Sequence, residues 1–419
     1  MVIQNHSGKI ELVLSLPLKE QVVLKRQLSG TSVLKNCKAL YLACETQYFD
    51  SPLHSLRQRQ VEIEPCFATE YDRTRWTVQV PDGSQVQVSF DFGHITAGVK
   101  TTPICELALL LLDGAPESLW RLAHELAQSI AVLPMISSKT QRGYLLSQGK
   151  MLAPVYAQPV KLGRGMKVQE LIQRVLAEML GQFIQNLGIF QHTQNSEVVH
   201  QARVGWRRFK SGIHLFEKTA YWDEMPDLQG LDFALALLSD LRDLDVAIAY
   251  VALRVDSESK PASPDKLQRW SQFEQRLVKK RQLLQAQVLA ALDQPIVGAT
   301  ILEIGRWVEQ GIAPGKASKG KFHKPKNVVP VLKRQISHWV EQLSARPRDA
   351  GDSATQHRTR ILSKRLRYAV EALRPILPSK QVKMWHRMAM RLQTEIGFNR
   401  DLFTVMEIVA SLWDGDNAS

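Results

Sequence analysis

The chain has 419 residues, enough for two or three domains, and its 44% hydrophobic and 23% charged residues exclude a disordered protein. Positive charge is concentrated beyond residue 150, where 39 Lys and Arg stand against 27 Asp and Glu, whereas residues 1–150 hold 15 against 14. The longest apolar run, Leu107 to Leu112, is too short to span a bilayer, and the N-terminal residues lack the pattern of a secretory signal. Four cysteines without a CxxC pair indicate a reduced, cytoplasmic protein without a structural zinc site. The basic C-terminal portion predicts a polyanionic partner.

Residues 1–150 are predicted to form antiparallel β-structure with one late helix. Apolar residues alternate from Ile10 to Leu16, and again from Val86 to Phe92 after a turn at Pro81-Asp82-Gly83. Helical spacing follows from Leu119 to Ile130. Residues 151–165 contain prolines and glycines without periodicity and are predicted to be a linker.

The pattern is helical from residue 166 nearly to the C-terminus and predicts an all-α bundle of hairpins. The predicted helices are 166–188, 196–218, 231–254, 264–291, 299–310, 328–345, 354–376, 380–394 and 399–413. The chain is therefore predicted to be an α+β protein of two domains, 1–150 and 166–419.

An internal repeat divides the helical domain. The segment HQARVGWRRFK, which starts at His200, recurs as HRTRILSKRLR, which starts at His357. Downstream, Arg242-Asp243 is repeated as Arg400-Asp401 in nearly the same register. The domain is therefore predicted to consist of two related halves, about 166–258 and 323–415, with helices 264–310 inserted between them.

Each repeated segment places a row of cations along one side of its helix, opposite the apolar residues. Like charges at this spacing repel one another, and the duplication of that cost favours an extended anion between the two rows. A solvated face neutralised by neighbouring carboxylates is the alternative for either helix alone. The first stripe consists of His200, Arg203, Arg207, Lys210 and His214, and the second of His357, Arg360, Lys364 and Arg367.

Four further arginines lie near these rows. Arg208 and Arg365 fall about 80° away from the stripes and are assigned rim or intramolecular ion-pair roles. Arg242 and Arg400 are candidate ligands, with an ion pair between Arg242 and Asp245 on the same helix as the alternative for the former. A lysine-rich segment, 316–326, is predicted to be a solvated loop that attracts anions without specificity.

His200 and His357 are the first residues of the two equivalent stripes. Both are predicted to donate hydrogen bonds in a way that depends on their protonation. Surrounding cations should lower the pKa of both imidazoles, and a bound polyanion should raise it. Polyanion affinity is therefore expected to increase as the pH falls from about 7.5 to 6.

The duplicated HxxRVxxRRxK helix, the RDxDV motif and KRLRYAVEAL resemble the CHAD family from Gly165 to the C-terminus. The resemblance implies two four-helix halves around a basic channel that binds inorganic polyphosphate. It implies that both stripes contact polyphosphate. No membrane partner is expected, and the protein is expected in the cytoplasm, where it could associate with polyphosphate granules. Oligomeric state and chain-length preference do not follow from it.

The N-terminal 150 residues resemble a degenerate CYTH domain, the triphosphate-tunnel fold, in segments such as YFDSPLHSLRQRQ and PICELALLLLDG. The opening ExExK motif reads Lys9, Glu11 and Val13, and Ala108 and Leu110 replace two glutamates of the acidic strand. Because paired carboxylates are missing, magnesium or manganese binding and hydrolysis are not expected. The vestigial tunnel residues are Glu11, Arg57, Arg73, Arg75, Asp91, Glu106, Lys139 and Arg142.

Two other functions are compatible with the residues. A metal-dependent inorganic triphosphatase would use Glu11, Glu106 and the surviving bases. A nucleic-acid-binding protein would use the same basic groove, although no stacked aromatic platform or zinc finger is present and Trp206 lies toward the packing side.

Overall fold

The computed structural model describes residues 3–4, 10–50, 64–163, 165–217, 225–257, 264–310, 329–345 and 353–413. It confirms the α+β architecture, with an N-terminal antiparallel sheet followed by a helical region. Arg57, the side chain of Arg400 and the segment 316–326 lie outside the described residues.

The strands form an antiparallel sheet in the order β1-β2-β6-β5-β4-β3, and β7 pairs with Val13–Ser15 of β2, beyond the residues that pair with β1. The turn predicted at Pro81-Asp82-Gly83 joins β4 to β5, and Gly83 adopts a φ of 87° that favours glycine. The strands are β1 (Ile3–Gln4), β2 (Ile10–Ser15), β3 (Leu40–Asp50), β4 (Glu64–Gln79), β5 (Gln85–Ala97), β6 (Lys100–Asp113) and β7 (Leu133–Met135).

One face of the sheet is apolar and packs against two helices, α1 (Gln21–Ser29) and α2 (Glu117–Ala127). The alternation in β2 and β5 buries Leu12, Leu14, Val88 and Phe90 on this face. Helix α2 lies at the predicted position, but α1 was not predicted, because only Leu24 and Leu28 of its apolar residues are buried. The third helix of this region, α3 (Lys139–Ser147), covers the opposite, polar face.

The helical region begins after an irregular linker that is fixed to its first helix. The buried amide of Asn186 donates a hydrogen bond to the Val155 carbonyl at 2.8 Å and accepts one from the Val155 N–H at 3.0 Å. The helices are α4 (Val168–Phe190), α5 (Ser196–Phe216), α6 (Gln229–Ser257), α7 (Pro264–Leu292), α8 (Pro295–Gln310), α9 (Val329–Ser344), α10 (Ser353–Leu373) and α11 (Ser379–Trp413).

The observed helix ends lie within four residues of the predictions except at the C-terminus. There the two predicted helices 380–394 and 399–413 form one helix of 35 residues, α11. The predicted helices left out residues 395–398, but the single glycine there, Gly397, costs only about 1 kcal/mol in a helix and does not stop it.

The two repeated halves meet through equivalent helices. Helix α5 contacts α10, and α6 contacts α11, while most of the buried apolar residues of the region form a single core. The inserted helix α7 packs along α6, and α8 contacts α2 and β7 of the sheet region. At that contact a Cβ on Gly298 would lie 2.1 Å from the carbonyl oxygen of Val132, so the two backbones approach more closely than any side chain would allow.

None of the described helices is by itself both long and apolar enough to cross a membrane. One bent pair, Gln268–Leu292 with Pro295–Gln310 at 63°, reaches that length and apolarity only when its two helices are taken together.

Candidate anion-binding site

Helix α5 presents the first stripe in the predicted phase. The helix starts at Asn195, whose side chain accepts a hydrogen bond from the Glu197 N–H at 2.9 Å and so caps the first turn. Val198, Ala202, Phe209 and Phe216 are buried in the core on one side. On the other side His200, Arg203 and Arg207 are half-buried, whereas Lys210 and His214 are exposed.

Two arginines of this stripe and one arginine of the neighbouring helix α6 have no compensating ion pair within the described part of the chain. Among the described residues, neither Arg203 nor Arg207 on α5 nor Arg242 on α6 forms an ion pair with a carboxylate. The Nε atoms of Arg203 and Arg207 are buried and have no hydrogen-bond partner. Buried Nε atoms without a partner also occur on Arg142, Arg208 and Arg367, which do have carboxylate partners, so the missing ion pairs are what distinguish Arg203 and Arg207.

The electrostatics of the group follow from burial and mutual repulsion. Burial, then Arg242, lowers the pKa of His200 to about 4, and Glu197 opposes the shift only in part. Burial, then Arg207, lowers the pKa of Arg203 to about 10, although Asp243 and Asp240 act in the opposite direction. The depressed imidazole pKa expected from the sequence is therefore present at His200, and these cations are held close together at an electrostatic cost.

The second stripe lies on α10 and is partly compensated. Leu366, Val370 and Leu373 are buried behind it, as the sequence predicted. His357 is exposed, whereas Arg360, Lys364 and Arg367 are half-buried. The Nε of Arg367 lies 3.6 Å from Oε1 of Glu371. That carboxylate also lies 3.1 Å from Nε2 of His386 on α11.

The outer arginines divide into an internal and a peripheral one. Arg208 is buried, and its guanidinium donates hydrogen bonds to Gln182 and to Glu178, with 2.8 Å between Nη2 and Oε2. Of the two roles predicted for Arg208, at the rim of the site or in an intramolecular ion pair, the structure shows the ion pair. Arg365 lies near the end of α5, close enough that it lowers the pKa of His214, after burial as the main cause.

The ion pair between Arg242 and Asp245 proposed from the sequence is wrong. Asp245 accepts a hydrogen bond of 2.6 Å from Nε of Arg281 on the inserted helix α7, and Arg242 stays without a carboxylate partner among the described residues. No local signal in the sequence could have revealed this partner, because Arg281 lies 36 residues away in a segment that the repeat does not contain.

The polar face of the sheet collects most of the vestigial tunnel residues in one cluster. Register places Arg73 opposite Asp91 and Asp91 opposite Glu106 on neighbouring strands, while Lys139 and Arg142 reach them from α3. This sheet cluster consists of Arg73, Asp91, Glu106, Lys139 and Arg142. Arg75 is half-buried on β4, and its Nε atom is buried without a partner.

Every carboxylate of the sheet cluster is paired. Asp91 lies 2.6 Å from Arg73 and 2.7 Å from Lys139, and Glu106 pairs with Lys139 and Arg142. Burial alone would raise the pKa of Asp91, but its two partners lower it overall. Burial alone would lower the pKa of Lys139, but the two carboxylates raise it overall.

The residues present do not fit a divalent metal ion. The two carboxylates of the sheet cluster already bind cations, and of the three acids assigned to the vestigial tunnel Glu11 alone forms no ion pair with a described residue; burial is the main cause that raises its pKa. Within the described ranges, no three His, Cys, Asp or Glu side chains come together as a metal site would require.

The fold and the repeated basic helices define a two-part protein whose helical part is a duplicated module. The family model of the CHAD domain matches residues 174–410, more than half of the chain. The chain belongs to the CHAD domain family.

Two comparisons accompany this assignment. The crystal structure of the CHAD domain from the plant Ricinus communis superposes with a TM-score of 0.52 and 24% identity, covering 64% of this chain and 86% of that one, and supports the fold. An inorganic triphosphatase from Haemophilus influenzae is 33% identical over 90 residues, which are 22% of this chain and 25% of that protein. The match thus spans a quarter of that relative, and it is consistent with the CYTH-like N-terminal region.

Proposed function

We propose that the helical region binds inorganic polyphosphate along the two stripes. The observation that carries this proposal is the group of Arg203, Arg207 and Arg242 beside His200, which is half-buried and has no ion pair with a carboxylate of the described residues. The alternative raised by the sequence, a face neutralised by neighbouring acids, is not supported for these three arginines. The chain belongs to the CHAD family, and the resemblance to that family already implied polyphosphate binding. Family membership therefore favours the same ligand.

A chain of phosphates satisfies the chemistry of this group. Each arginine can donate two parallel hydrogen bonds to one phosphoryl group, which would satisfy Nε atoms that are now buried without partners. The anion also removes the repulsion between neighbouring guanidinium groups. His200 is neutral at pH 7 in the free protein and donates one hydrogen bond, and it gains a proton where bound phosphates raise its pKa. Cytoplasmic residence and association with polyphosphate granules belong to this proposal.

The sheet region is proposed to be catalytically inactive and to serve as a packing platform. Both acids and all three bases of the sheet cluster are already engaged in ion pairs with one another, so a triphosphate or a divalent cation would have to displace an existing partner. A buried charge that loses its partner is strongly destabilising, which makes these pairs costly to open for a substrate.

The test compares Arg203→Glu/Arg207→Glu with Arg26→Glu/Lys35→Glu, a control with the same change of net charge at exposed positions of the sheet region. Affinity for long-chain polyphosphate should fall about hundredfold in the first variant and by less than about twofold in the control. The salt dependence of binding should also become flatter by roughly two phosphate contacts.

Equal losses in both variants would reduce the effect to net charge and overturn the proposal. Single-stranded RNA provides the second arm, because it offers phosphates together with bases. If RNA displaces polyphosphate at equal phosphate concentration and fixed salt, nucleic acid is the ligand instead.

A metal-dependent inorganic triphosphatase is the second candidate, and the relative from Haemophilus influenzae is the observation that favours it. Phosphate release from tripolyphosphate is measured with magnesium or manganese in the wild type and in Glu106→Ala. We expect no release above background in either protein. Release in the wild type that Glu106→Ala abolishes would establish the enzyme and end the proposal of an inactive sheet region.

A further inference from the structure

The inserted helix α7 sits directly against the helix that supplies Arg242. Arg281 of α7 is buried and donates three hydrogen bonds, to Oδ1 of Asp245 at 2.6 Å, to Oε1 of Gln285 at 2.8 Å and to the Gln194 carbonyl at 2.8 Å. Gln285 donates in turn to the Thr193 carbonyl at 3.1 Å. The insert is thus fastened to α6 and to the turn that leads into α5.

The acid that Arg281 holds has a second candidate partner. Asp245 follows Arg242 by three positions on α6, a spacing at which helical side chains of opposite charge pair. Burial raises the pKa of Asp245, and Arg281 and then Arg242 oppose that rise. Arg242 is thus near this carboxylate, yet no ion pair forms between them. The Oδ2 atom of Asp245 is buried without a partner, so its second oxygen is not taken by Arg242.

The repeat shows that this acid belongs to one half only. In the second copy of the motif, NRDLFTV, the position equivalent to Asp245 is Phe403. The acid therefore occurs only in the half whose motif helix packs along the insert, and its partner Arg281 lies within that insert. Of the two copies of the motif, the first has an acid three residues after its arginine, and that acid, Asp245, forms an ion pair with Arg281.

We propose that Arg281 is a positioning residue of the anion site, which holds Asp245 away from Arg242 and so leaves Arg242 available to an anionic ligand. Arg281 does not itself touch the ligand. It keeps Arg242 uncompensated by supplying Asp245, the buried carboxylate three residues further along α6, with a different cation. This inference rests on the proposed polyphosphate function and deepens it, since it assigns a role to the insert that separates the two halves.

The decisive comparison is between Arg281→Gln and Arg281→Gln/Asp245→Asn. In the single variant Asp245 loses its cation and turns to Arg242, so polyphosphate affinity should fall by about tenfold. In the double variant no carboxylate is left to compensate Arg242, so affinity should return to within about twofold of the wild type. Because an unpaired buried carboxylate also destabilises the fold, the free energy of unfolding of both variants is measured alongside the affinity. A purely structural role of Arg281 predicts a loss of affinity no larger than the loss of folded protein accounts for, and that result would overturn the inference.

A ligand-free measurement separates this inference from the proposed function. The imidazole resonances of His200 report its pKa, which is set by burial and by Glu197, Arg203, Arg207 and Arg242 around it. In Arg281→Gln an ion pair between Asp245 and Arg242 should weaken the repulsion between Arg242 and a protonated His200, so the pKa of His200 should rise. In the double variant that ion pair cannot form, and the pKa should return to the wild-type value. If the wild type does not bind polyphosphate but this pattern of pKa values is found, the ligand is wrong and the positioning role stands.

Asp245→Asn alone covers the case in which Arg281→Gln does not fold. Because Arg281 already occupies the carboxylate, this variant should change polyphosphate affinity by less than about twofold. A gain of about tenfold would mean that Asp245 compensates Arg242 in the wild type, and it would overturn the inference.

Discussion

The sheet cluster and the first stripe are built from the same kinds of side chain, but their charges are balanced in different ways. In the sheet cluster each of three cations has a carboxylate partner within ion-pair distance, and the two carboxylates leave one positive charge in excess. In the first stripe neither Arg203 nor Arg207 forms an ion pair with a carboxylate of the described residues, and Arg242 adds to their repulsion. The partners of the basic side chains, and not their kind, therefore distinguish the two groups, and they are the reason why the anion site is proposed in the helical region.

The largest difference is expected from one substitution made in each region. Arg73→Met removes a bidentate partner of fully buried Asp91 and should lower the free energy of unfolding by about 2 to 4 kcal/mol. Arg207→Met removes an unpaired cation and should leave that free energy unchanged or raise it by up to about 1 kcal/mol. Urea denaturation of both variants measures the free energy of unfolding. Similar losses of stability in the two variants would contradict the proposed difference between the regions.

A smaller effect is expected from the pH dependence of stability. The pKa of His200 is about 4 in the folded protein, below that of an unfolded histidine, so the unfolded chain binds the proton first. Stability should therefore fall as the pH drops from about 6.5 toward 4, by about 1 to 2 kcal/mol once partial exposure of the ring is allowed for.

His200→Gln removes this contribution, and His338→Gln on the exposed side of α9 is the matched control. The free energy of unfolding at pH 5 and at pH 7 should differ less in His200→Gln than in the wild type and the control. If all three proteins lose the same stability, the histidine is not held among cations. The same pKa extends the expected gain in polyphosphate affinity below pH 6, beyond the interval of 7.5 to 6 derived from the sequence.

The smallest effect concerns the compensated end of the second stripe. Glu371→Gln removes the carboxylate that lies between Arg367 and His386 and should raise polyphosphate affinity by about twofold, since exposed pairs contribute less than about 1 kcal/mol. Glu395→Gln on α11, where Glu395 lies 3.4 Å from Arg391, changes net charge equally and should have less effect. Equal gains from both substitutions would show that only net charge matters.

Helical periodicity was sufficient to place the stripes but not to assign their partners. The apolar side of α5, with Val198, Ala202 and Phe209, fixes the rotation of the helix, and the cations must then lie on the remaining arc. Arg208 falls on the buried side of the helix, and only the fold shows that it forms an ion pair with Glu178 of α4. In the sheet cluster the residues were identified from the resemblance, whereas their pairing depends on α3, whose short apolar pattern gave no prediction.

The contact between Gly298 and Val132 restricts how the molecule can respond to a ligand. Helix α8 lies backbone to backbone on the end of the sheet region, and the same helix packs on α4 and α6 within the bundle. Under the proposed function, a shift of α6 on phosphate binding at Arg242 would displace α8 and, through this contact, the backbone at Val132. The bundle and the end of the sheet region are therefore expected to move together where α8 joins them.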